Sequence, residues 1–169
     1  MKLTSKLLAA IVIVLMFGGI MFSSVMGWWN TESNKQVRKL TEGEYAGSGD
    51  PADIRGSYTF GDVETNFEIP AEVLALAFNV QTDDPQAFPV KSLETMYAGS
   101  PQEVGTASVR LFTAFYVNLP IDLSTDMYLP QSGADLLKAR TLTPDQLAYL
   151  DAHTLPNAVV PAIQGTAMQ

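Results

Sequence analysis

The sequence contains no cysteine, and this absence removes several kinds of chemistry at once. Disulfides, thiolate zinc sites, cysteine-ligated iron–sulfur clusters, attached c-type haem and thiol nucleophiles all require cysteine side chains. Histidine is almost as scarce, because His153 is the only one in 169 residues, and pairs of histidine ligands are therefore excluded. A single histidine at the end of a predicted helix is typical of a side chain that complements the negative end of the helix dipole.

Basic residues are also scarce in the larger part of the chain. Residues 46–169 contain 5 Lys or Arg against 15 Asp or Glu, whereas residues 1–45 contain 5 basic and 3 acidic residues. An acidic surface repels phosphate backbones and anionic lipid headgroups, so we expect no nucleic-acid partner. The same excess of acidic residues is also typical of a surface that only keeps a domain soluble.

A long apolar segment lies near the start of the chain. Residues 7–26, "LLAAIVIVLMFGGIMFSSVM", include no charged residue. A helix of about 20 residues suffices to cross a hydrocarbon core of roughly 30 Å. Two lysines precede the segment, and Trp28 and Trp29 follow it where indole rings would lie at the headgroup level. We therefore predict a transmembrane signal anchor over residues 7–29 after a cytoplasmic tail over residues 1–6.

Cleavage of this segment as a secretory signal is the alternative, with Ser24 or Gly27 as the small residue near the cleavage point. The apolar run is longer than the roughly 7 to 15 residues of a typical signal core, which favours retention. Basic residues are nearly balanced across the segment, with two lysines before it and three basic residues shortly after it. The short basic tail resembles that of a signal anchor. We expect a single-pass protein of the cell membrane whose C-terminal domain lies outside the cytoplasm.

Composition divides the rest of the chain into a stalk, a domain and a tail. Residues 30–53 are polar, carry mixed charges and end in a Gly, Ser, Asp and Pro cluster, which predicts a flexible stalk. Residues 54–156 contain repeated helix-start signals and no clear alternating strand pattern, which predicts an all-α extracytoplasmic domain. Residues 157–169 contain no capping residue, and we expect a frayed tail.

Two short helices are predicted at the start of the domain. Thr59, with Asp62 three residues later, forms a capping-box pattern ahead of apolar residues at helical spacing, so a helix is predicted near residues 60–67. A proline suited to the first helical position then opens a second apolar stripe near residues 70–78. Asn79 follows as a plausible left-handed stop. The sequence "QTDDPQAFP" after it predicts a loop.

This helical pair looks like a helix-turn-helix, but its charge argues against DNA binding. Residues 54–80 contain Arg55 as their only basic residue, together with four acidic residues. A helix that reads DNA needs Lys or Arg for phosphates and Arg, Asn or Gln for base edges. We therefore interpret the two helices as a packing unit whose apolar faces bury each other.

Three further helix starts are predicted from the same kind of capping pattern. "SPQE" at residues 100–103 predicts the start of the longest helix of the domain, and "SGAD" at 132–135 and "TPDQ" at 143–146 predict two more. "LPIDLSTDMYLP", residues 119–130, is interpreted as a connector. The aromatic residues of this half are expected to fill the core, with an exposed patch for a partner protein as the alternative: Tyr97, Phe112, Phe115, Tyr116 and Tyr128.

The sequence predicts no catalytic, cofactor-binding or metal-binding residue, and we expect no enzymatic activity. Asp83 and Asp84 lack the spacing of a calcium loop. Nothing in the sequence sets the carboxylates of Asp62 and Glu68 across a cleft, as a glycosidase would need. "GSG" at residues 47–49 lacks the context of a nucleophile elbow. No cofactor and no small-molecule substrate are predicted.

One sequence pattern resembles that of LysM peptidoglycan-binding modules. The residues "TxxxVxxxFxIPxExL", from Thr59 to Leu74, are similar to the short helical pair of those modules. The resemblance implies binding of cell-wall glycan, which suits a domain outside the cytoplasm. LysM modules also have strands flanking their helices, and residues 46–58 supply at most a few extended residues.

A second resemblance extends over residues 54–97. The matching residues are Ile54, Arg55, Gly56, Thr59, Val63, Ile69, Pro70, Glu72, Leu74, Ala77, Phe78, Lys91, Leu93 and Glu94. This pattern resembles membrane-anchored helical domains of anaerobic bacteria and archaea, some of which accompany membrane cytochromes or ferredoxin-type proteins. The resemblance implies no catalytic residue, and it implies a membrane protein partner that would carry any redox group. We therefore expect an accessory or interaction protein, with a LysM-like glycan binder as the alternative.

Overall fold

The computed structural model describes residues 35–156, and the fold over this range is mainly helical. The helices in this range are α1 (Phe60–Phe67), α2 (Ala71–Ala77), α3 (Ser92–Met96), α4 (Thr106–Tyr116), α5 (Gln131–Lys138) and α6 (Pro144–Ala152). A 3-10 turn, Pro51–Asp53, precedes α1. Two strands of two residues each, β1 (Leu129–Pro130) and β2 (Thr154–Leu155), pair in parallel. The prediction of a mainly helical domain is confirmed over these residues.

The predicted membrane segment, residues 7–29, lies outside the described residues, as do the predicted tails over residues 1–6 and 157–169. Between residues 35 and 156, no helix combines the length and the apolar character that crossing a membrane requires. The transmembrane anchor therefore stays a prediction from the sequence.

Helices α1 and α2 begin and end where their capping residues predict. The Asp62 N–H donates to the Thr59 hydroxyl at 3.2 Å, and the Thr59 N–H donates to the Asp62 carboxylate at 2.6 Å. This reciprocal pair is the predicted capping box, and it starts α1. Asn79 follows α2 with a φ of 51°, which is left-handed as predicted. The Val80 N–H closes this end on the Ala75 carbonyl oxygen at 2.8 Å.

Short extended segments flank this helical pair and run antiparallel to each other. Residues 58–60 lead into the first turn of α1, and residues 88–90 lie after α2. Backbone hydrogen bonds of 3.0 and 2.8 Å join the two segments on either side of an antiparallel bridge between Thr59 and Pro89. The second segment falls at the end of the predicted loop, and the sequence pattern did not reveal this pairing. The loop is held here by backbone bonds to residues about thirty positions earlier, and composition does not record such bonds.

A chain of phenylalanine rings connects the first helices to α4. The Phe78 ring centroid lies 6.2 Å from that of Phe60 in α1 and 5.9 Å from that of Phe112 in α4. The Phe88 ring lies 5.0 Å from the Phe60 ring on the other side. Phe60, Phe78 and Phe112 are all fully buried. Aromatic pairs at these tilted spacings are favourable, so Phe78 joins two halves of one core.

The prediction that α4 begins near Ser100 is wrong. Residues 100–102 lie in a bend, and the helix begins at Thr106. The buried Ser108 hydroxyl accepts the Gly105 N–H at 3.2 Å near the helix start. A Cβ at Gly105 would lie 2.7 Å from Cγ of Glu94, so the residue before α4 packs against α3 with no room for a side chain. Helix α3 was itself absent from the sequence prediction, since its five residues carry no capping hydrogen bond.

Helix α5 lies close to the end of α2, and small residues make this approach possible. A Cβ added at Gly133 would lie 3.0 Å from the Ala77 carbonyl oxygen. The Ser132 hydroxyl donates to that same oxygen at 2.7 Å. The predicted helix start at Ser132 is therefore close to the observed start at Gln131, but the serine bonds to α2 and does not cap its own helix.

The predicted start of the last helix is confirmed. The Gln146 N–H donates to the Thr143 hydroxyl at 3.2 Å, and the Thr143 N–H donates to the Gln146 side-chain oxygen at 2.9 Å. With Pro144 at the first helical position, this capping box starts α6 where the sequence places it.

Residues 35–50 form a folded segment, called here the strap, and the prediction of a flexible stalk over residues 30–53 is wrong for this part. The Asp50 N–H donates to the Arg38 carbonyl oxygen at 2.8 Å, which closes the strap into an antiparallel turn. Val37 in the strap is only 8% exposed. The composition of the strap is polar because most of its side chains face solvent, whereas the groups that hold it lie in α1 and in the 3-10 turn.

The Thr113 hydroxyl in the middle of α4 is fully buried and has no hydrogen-bond partner within residues 35–156. Thr113→Val keeps the shape of the side chain and removes this polar group, whose burial without a partner costs about 1–3 kcal/mol. We expect urea denaturation to show a gain in unfolding free energy of about 1 kcal/mol. Thr113→Ser is the control: it keeps the hydroxyl, loses a methyl group and should be destabilised. A valine variant no more stable than the wild type would contradict the prediction.

Candidate functional site

The strap is fastened to α1 mainly by one side chain, that of Asn66. Its Oδ1 accepts the Val37 N–H at 3.0 Å, and its Nδ2 donates to the Lys35 carbonyl oxygen at 2.8 Å. The Lys35 ammonium group also lies 2.7 Å from the Asp62 carboxylate. Asn66 therefore pairs with one donor and one acceptor of the strap backbone, as a neighbouring strand would.

Asp53 fastens the strap at a second point. Its Oδ2 accepts the Arg38 N–H at 2.9 Å, and its Oδ1 lies 3.1 Å from the Arg55 guanidinium group. The hydrogen bond from the Arg38 N–H is the main cause that lowers the pKa of Asp53, with Arg55 adding to it and burial opposing it. For Asp62, burial raises the pKa, but the bonds from Lys35 and the Thr59 N–H outweigh burial and lower it.

We expect the strap to lose stability in acid. The pKa values of Asp53 and Asp62 are lower in the folded state than the ordinary aspartate value of 3.8. Their contribution is therefore present above that value and is lost as the pH falls through the folded values. Urea midpoints at pH 7 and pH 3 test this expectation. The wild type should lose more stability between them than Asp53→Asn, and an equal loss in both proteins would count against the assignment.

A groove of about 510 Å³ lies beside the strap. Its apolar floor consists of Val37, Phe67, Val117 and Leu119. Lys39 and Glu68 stand on its walls with opposite charges. Gly49 lets the strap lie close to α1, because a Cβ there would be 2.8 Å from Val37 Cγ2 and 3.0 Å from the Phe67 ring. The mixture of apolar floor and polar walls is typical of a surface that contacts another protein.

A second, more open groove of about 640 Å³ lies on the acidic side of α1. It is lined by Asp62, Glu64 and Asp84 among others. Asp84 is engaged in its own loop, because its carboxylate accepts the Ala87 N–H at 3.2 Å. Within residues 35–156, no three His, Asp or Glu side chains come close enough to hold a metal ion. Asp83 and Asp84 are exposed and lie in the loop between α2 and α3.

His153 lies directly after α6, at the helix end where the sequence places it. Its Nδ1 is 2.8 Å from the Tyr149 carbonyl oxygen, and its Nε2 is 3.2 Å from Oδ1 of Asp126. The imidazole ring stacks on the Tyr149 ring with 3.9 Å between centroids and 7° between planes. The Tyr128 ring lies 5.2 Å away on another side. These contacts hold the imidazole ring against the end of α6.

The aromatic residues expected in the core are divided between core and surface. Tyr97, Phe112 and Phe115 are buried, as predicted, and the Tyr97 hydroxyl donates to the Phe78 carbonyl oxygen at 2.9 Å. Burial raises the pKa of Tyr97, which therefore stays protonated at neutral pH. Tyr116 is half-buried and lies 3.8 Å beneath the Arg140 guanidinium group. Sequence spacing alone could not reveal this cation–π contact, because it joins the ends of two separate helices.

Comparison with known proteins adds no family to this description. No protein-family model, no curated protein and no solved structure matches the chain. The two resemblances described above therefore stay predictions from sequence motifs.

Proposed function

We propose that the chain is a non-catalytic accessory protein of the cell membrane. In this proposal residues 7–29 anchor it, and its acidic helical domain binds another membrane protein outside the cytoplasm. The observation that carries the proposal is a folded contact made by Lys35, six residues after the end of the predicted anchor. Lys35 already contacts α1, through both its backbone and its side chain. A folded contact so close to the predicted anchor limits how far the domain can extend from the membrane.

The length of an extended chain sets an upper bound on the distance between Lys35 and the predicted anchor. Only residues 30–34 separate Lys35 from Trp29, the last residue of the predicted anchor. An extended chain spans at most about 3.6 Å per residue, so the Cα atoms of Trp29 and Lys35 can be at most roughly 20 Å apart. A chain anchored through Trp29 would therefore keep Lys35 near the headgroups. A domain held there meets neighbouring membrane proteins more readily than distant soluble ones.

The groove beside the strap is the surface best suited to such a contact. Val37 and Gly49 belong to both the strap and the groove, so the groove lies on the part of the described chain that is nearest in sequence to the predicted anchor. The apolar floor can bury side chains of a partner, and the polar walls can pair with its backbone. We propose that an extramembrane segment of the partner lies here.

The hydrogen bonds of the aspartate and histidine side chains that could act as acids or bases support a non-catalytic role. Asp53 accepts a backbone N–H of the strap, and Asp62 accepts the N–H that starts α1. His153 contacts a carbonyl oxygen of its own helix. Each of these groups already bonds within the fold, as structural side chains do. The redox group implied by the sequence resemblance would belong to the partner, because the chain has no cysteine and this single histidine.

Copurification from native membranes tests the proposal. The tagged full-length chain, extracted in mild detergent, should retain an integral membrane protein, and Leu119→Asp should lose it because the substitution places a charge at a half-buried position of the groove floor. Leu147→Asp, at a 38% exposed position on α6, is the matched control and should retain the partner. A wild-type chain found free in the soluble fraction without detergent would overturn the proposal. Protease treatment of intact cells should remove the domain, and protection until lysis would reverse the orientation.

Binding of cell-wall glycan is the second candidate function, and one observation favours it. The antiparallel segments at residues 58–60 and 88–90 flank α1 and α2, and the sequence pattern had offered little strand before the helices. Two helices between paired extended segments resemble the arrangement expected of a LysM module. Retention of the purified chain on isolated peptidoglycan at physiological salt would favour this candidate. Retention in membrane extracts without peptidoglycan would favour the accessory role.

A further inference from the structure

One edge of the strap carries backbone groups that face away from the rest of its turn. Residues 38–40 pair with residues 48–50 through an antiparallel bridge between Lys39 and Gly49. Backbone hydrogen bonds of 2.9 and 2.8 Å lie on either side of this bridge. Lys39 and Gly49 therefore form a non-hydrogen-bonded pair, in which the N–H and C=O groups of each residue point away from the other strand. Within residues 35–156, neither backbone group of Lys39 has a hydrogen-bond partner.

Asn66 already uses the other end of the same edge. Its side-chain amide bonds to the Lys35 carbonyl oxygen and to the Val37 N–H. Backbone groups two residues apart point to the same side of an extended chain, so these groups and those of Lys39 share one edge. The Val37 carbonyl oxygen also has no hydrogen-bond partner within the described residues. An added strand would therefore continue the pairing from the point where Asn66 leaves it.

This edge borders the groove beside the strap. Lys39 and Asn66, which mark the two ends of the edge, both line the groove. Lys39 is exposed, and Leu119 on the groove floor is half-buried. Gly47 also lines the groove and has no side chain to hold a ligand away from the strap. An extended segment at this position would form backbone hydrogen bonds on one side and place alternate side chains on the apolar floor.

We propose that the strap binds an extended segment of its partner as an added strand. The segment pairs with the N–H and C=O groups of Lys39 and with the Val37 carbonyl oxygen. Hydrogen bonds between main chains provide affinity in this mode of recognition, and the alternate side chains provide specificity. The inference rests on the proposed function for the source of the segment, which is an extramembrane part of the membrane partner.

The charges on the groove walls define the chemistry of the segment. Lys39 and Glu68 both line the groove, and neither forms a salt bridge within residues 35–156. Opposite charges across paired strands are favourable, and like charges are unfavourable. We therefore expect an acidic side chain beside Lys39, a basic side chain beside Glu68 and apolar side chains between them. The strap of a second copy does not fit, because pairing of the two edges would bring one Lys39 against the other.

Selection of phage-displayed random peptides on the purified full-length chain in detergent tests the proposal. The enriched peptides should carry acidic, apolar and basic side chains in this spatial order. Lys39→Pro should bind them about tenfold more weakly, because proline has no N–H to donate. Proline is tolerated where the N–H of an edge strand faces outward, so the urea midpoint of this variant should match that of the wild type. Lys39→Gln keeps the N–H and should bind only about threefold more weakly.

Leu119→Asp keeps the test decisive even if the proline variant unfolds. It places a charge on the groove floor and leaves the backbone of the strap unchanged, so it should also lose the peptides. Leu147→Asp, on α6, is the control and should retain them. A library that yields no enriched peptide, or peptides that bind the wild type and both groove variants equally, would overturn the inference.

Hydrogen exchange of the copurified complex separates this inference from the proposed function. The Lys39 amide should exchange about tenfold more slowly in the complex than in the isolated chain, because the added strand accepts its hydrogen bond. Val63 in the core of α1 is the internal reference. A bound partner that leaves the Lys39 amide unprotected would overturn the added strand, while the accessory role would stand. Peptides that bind the groove, without any copurified membrane protein, would support the added strand and count against the accessory role.

Discussion

Replacing Phe78 by alanine should lower the free energy of unfolding by about 3–5 kcal/mol, the cost of removing a fully buried aromatic side chain and leaving a cavity. Phe78 has no exposed surface, and its ring lies between the rings of Phe60 and Phe112. The substitution therefore removes the contact that joins α1 to α4. Urea denaturation followed by circular dichroism measures the change. Phe78→Leu keeps most of the buried volume and should lose less stability.

Leu76→Ala is the matched control for this experiment. Leu76 lies two residues earlier in the same segment, and its side chain is 65% exposed. Its truncation should change the unfolding free energy by no more than about 0.5 kcal/mol, as for most surface substitutions. Equal effects at the two positions would show that α2 does not pack through Phe78 as described.

Replacing Asn66 by alanine should lower the unfolding free energy by about 2 kcal/mol and release the strap. The Val37 N–H and the Lys35 carbonyl oxygen each lose a hydrogen-bond partner, and each such loss at a half-buried position costs about 1 kcal/mol. Hydrogen exchange of the Val37 and Leu40 amides should become faster. The global unfolding curve, measured in urea, gives the change in free energy.

The neighbouring Thr65 provides the control for the strap experiment. Its side chain is exposed, and its hydroxyl donates to the Gly61 carbonyl oxygen within α1. Thr65→Ala should leave the strap amides protected, with a stability change of less than about 0.5 kcal/mol. If Asn66→Ala also left them protected, Asn66 would not be the group that holds the strap.

Local signals account for the elements that the sequence predicted well. A capping box involves residues three positions apart, so Thr59 and Thr143 start α1 and α6 largely independently of the rest of the fold. A left-handed end such as Asn79 is equally local. The mainly helical character of the domain follows from these signals together with the absence of an alternating strand pattern.

The elements that the sequence missed depend on residues far apart along the chain. Helix α4 starts at Thr106, after Gly105 packs against Glu94 of α3, and not at the capping pattern of Ser100. The strap looks like a stalk in composition because Asn66, the side chain that holds it, lies 29 residues beyond Val37. The approach of Ser132 to the Ala77 carbonyl oxygen spans 55 residues. Such contacts leave no periodic pattern in the sequence.

For the candidate sites, too, the sequence predicted the local features, and the tertiary structure showed the contacts between distant residues. The sequence by itself excluded cysteine chemistry and histidine pairs, made the domain acidic, predicted a membrane anchor and placed His153 at a helix end. Only the tertiary structure brought Asp126 to His153 and laid the strap beside α1, which forms the groove. Composition and capping act through single residues and their near neighbours, whereas a groove or a contact such as that of Asp126 with His153 requires side chains that only the packing of separate elements brings together.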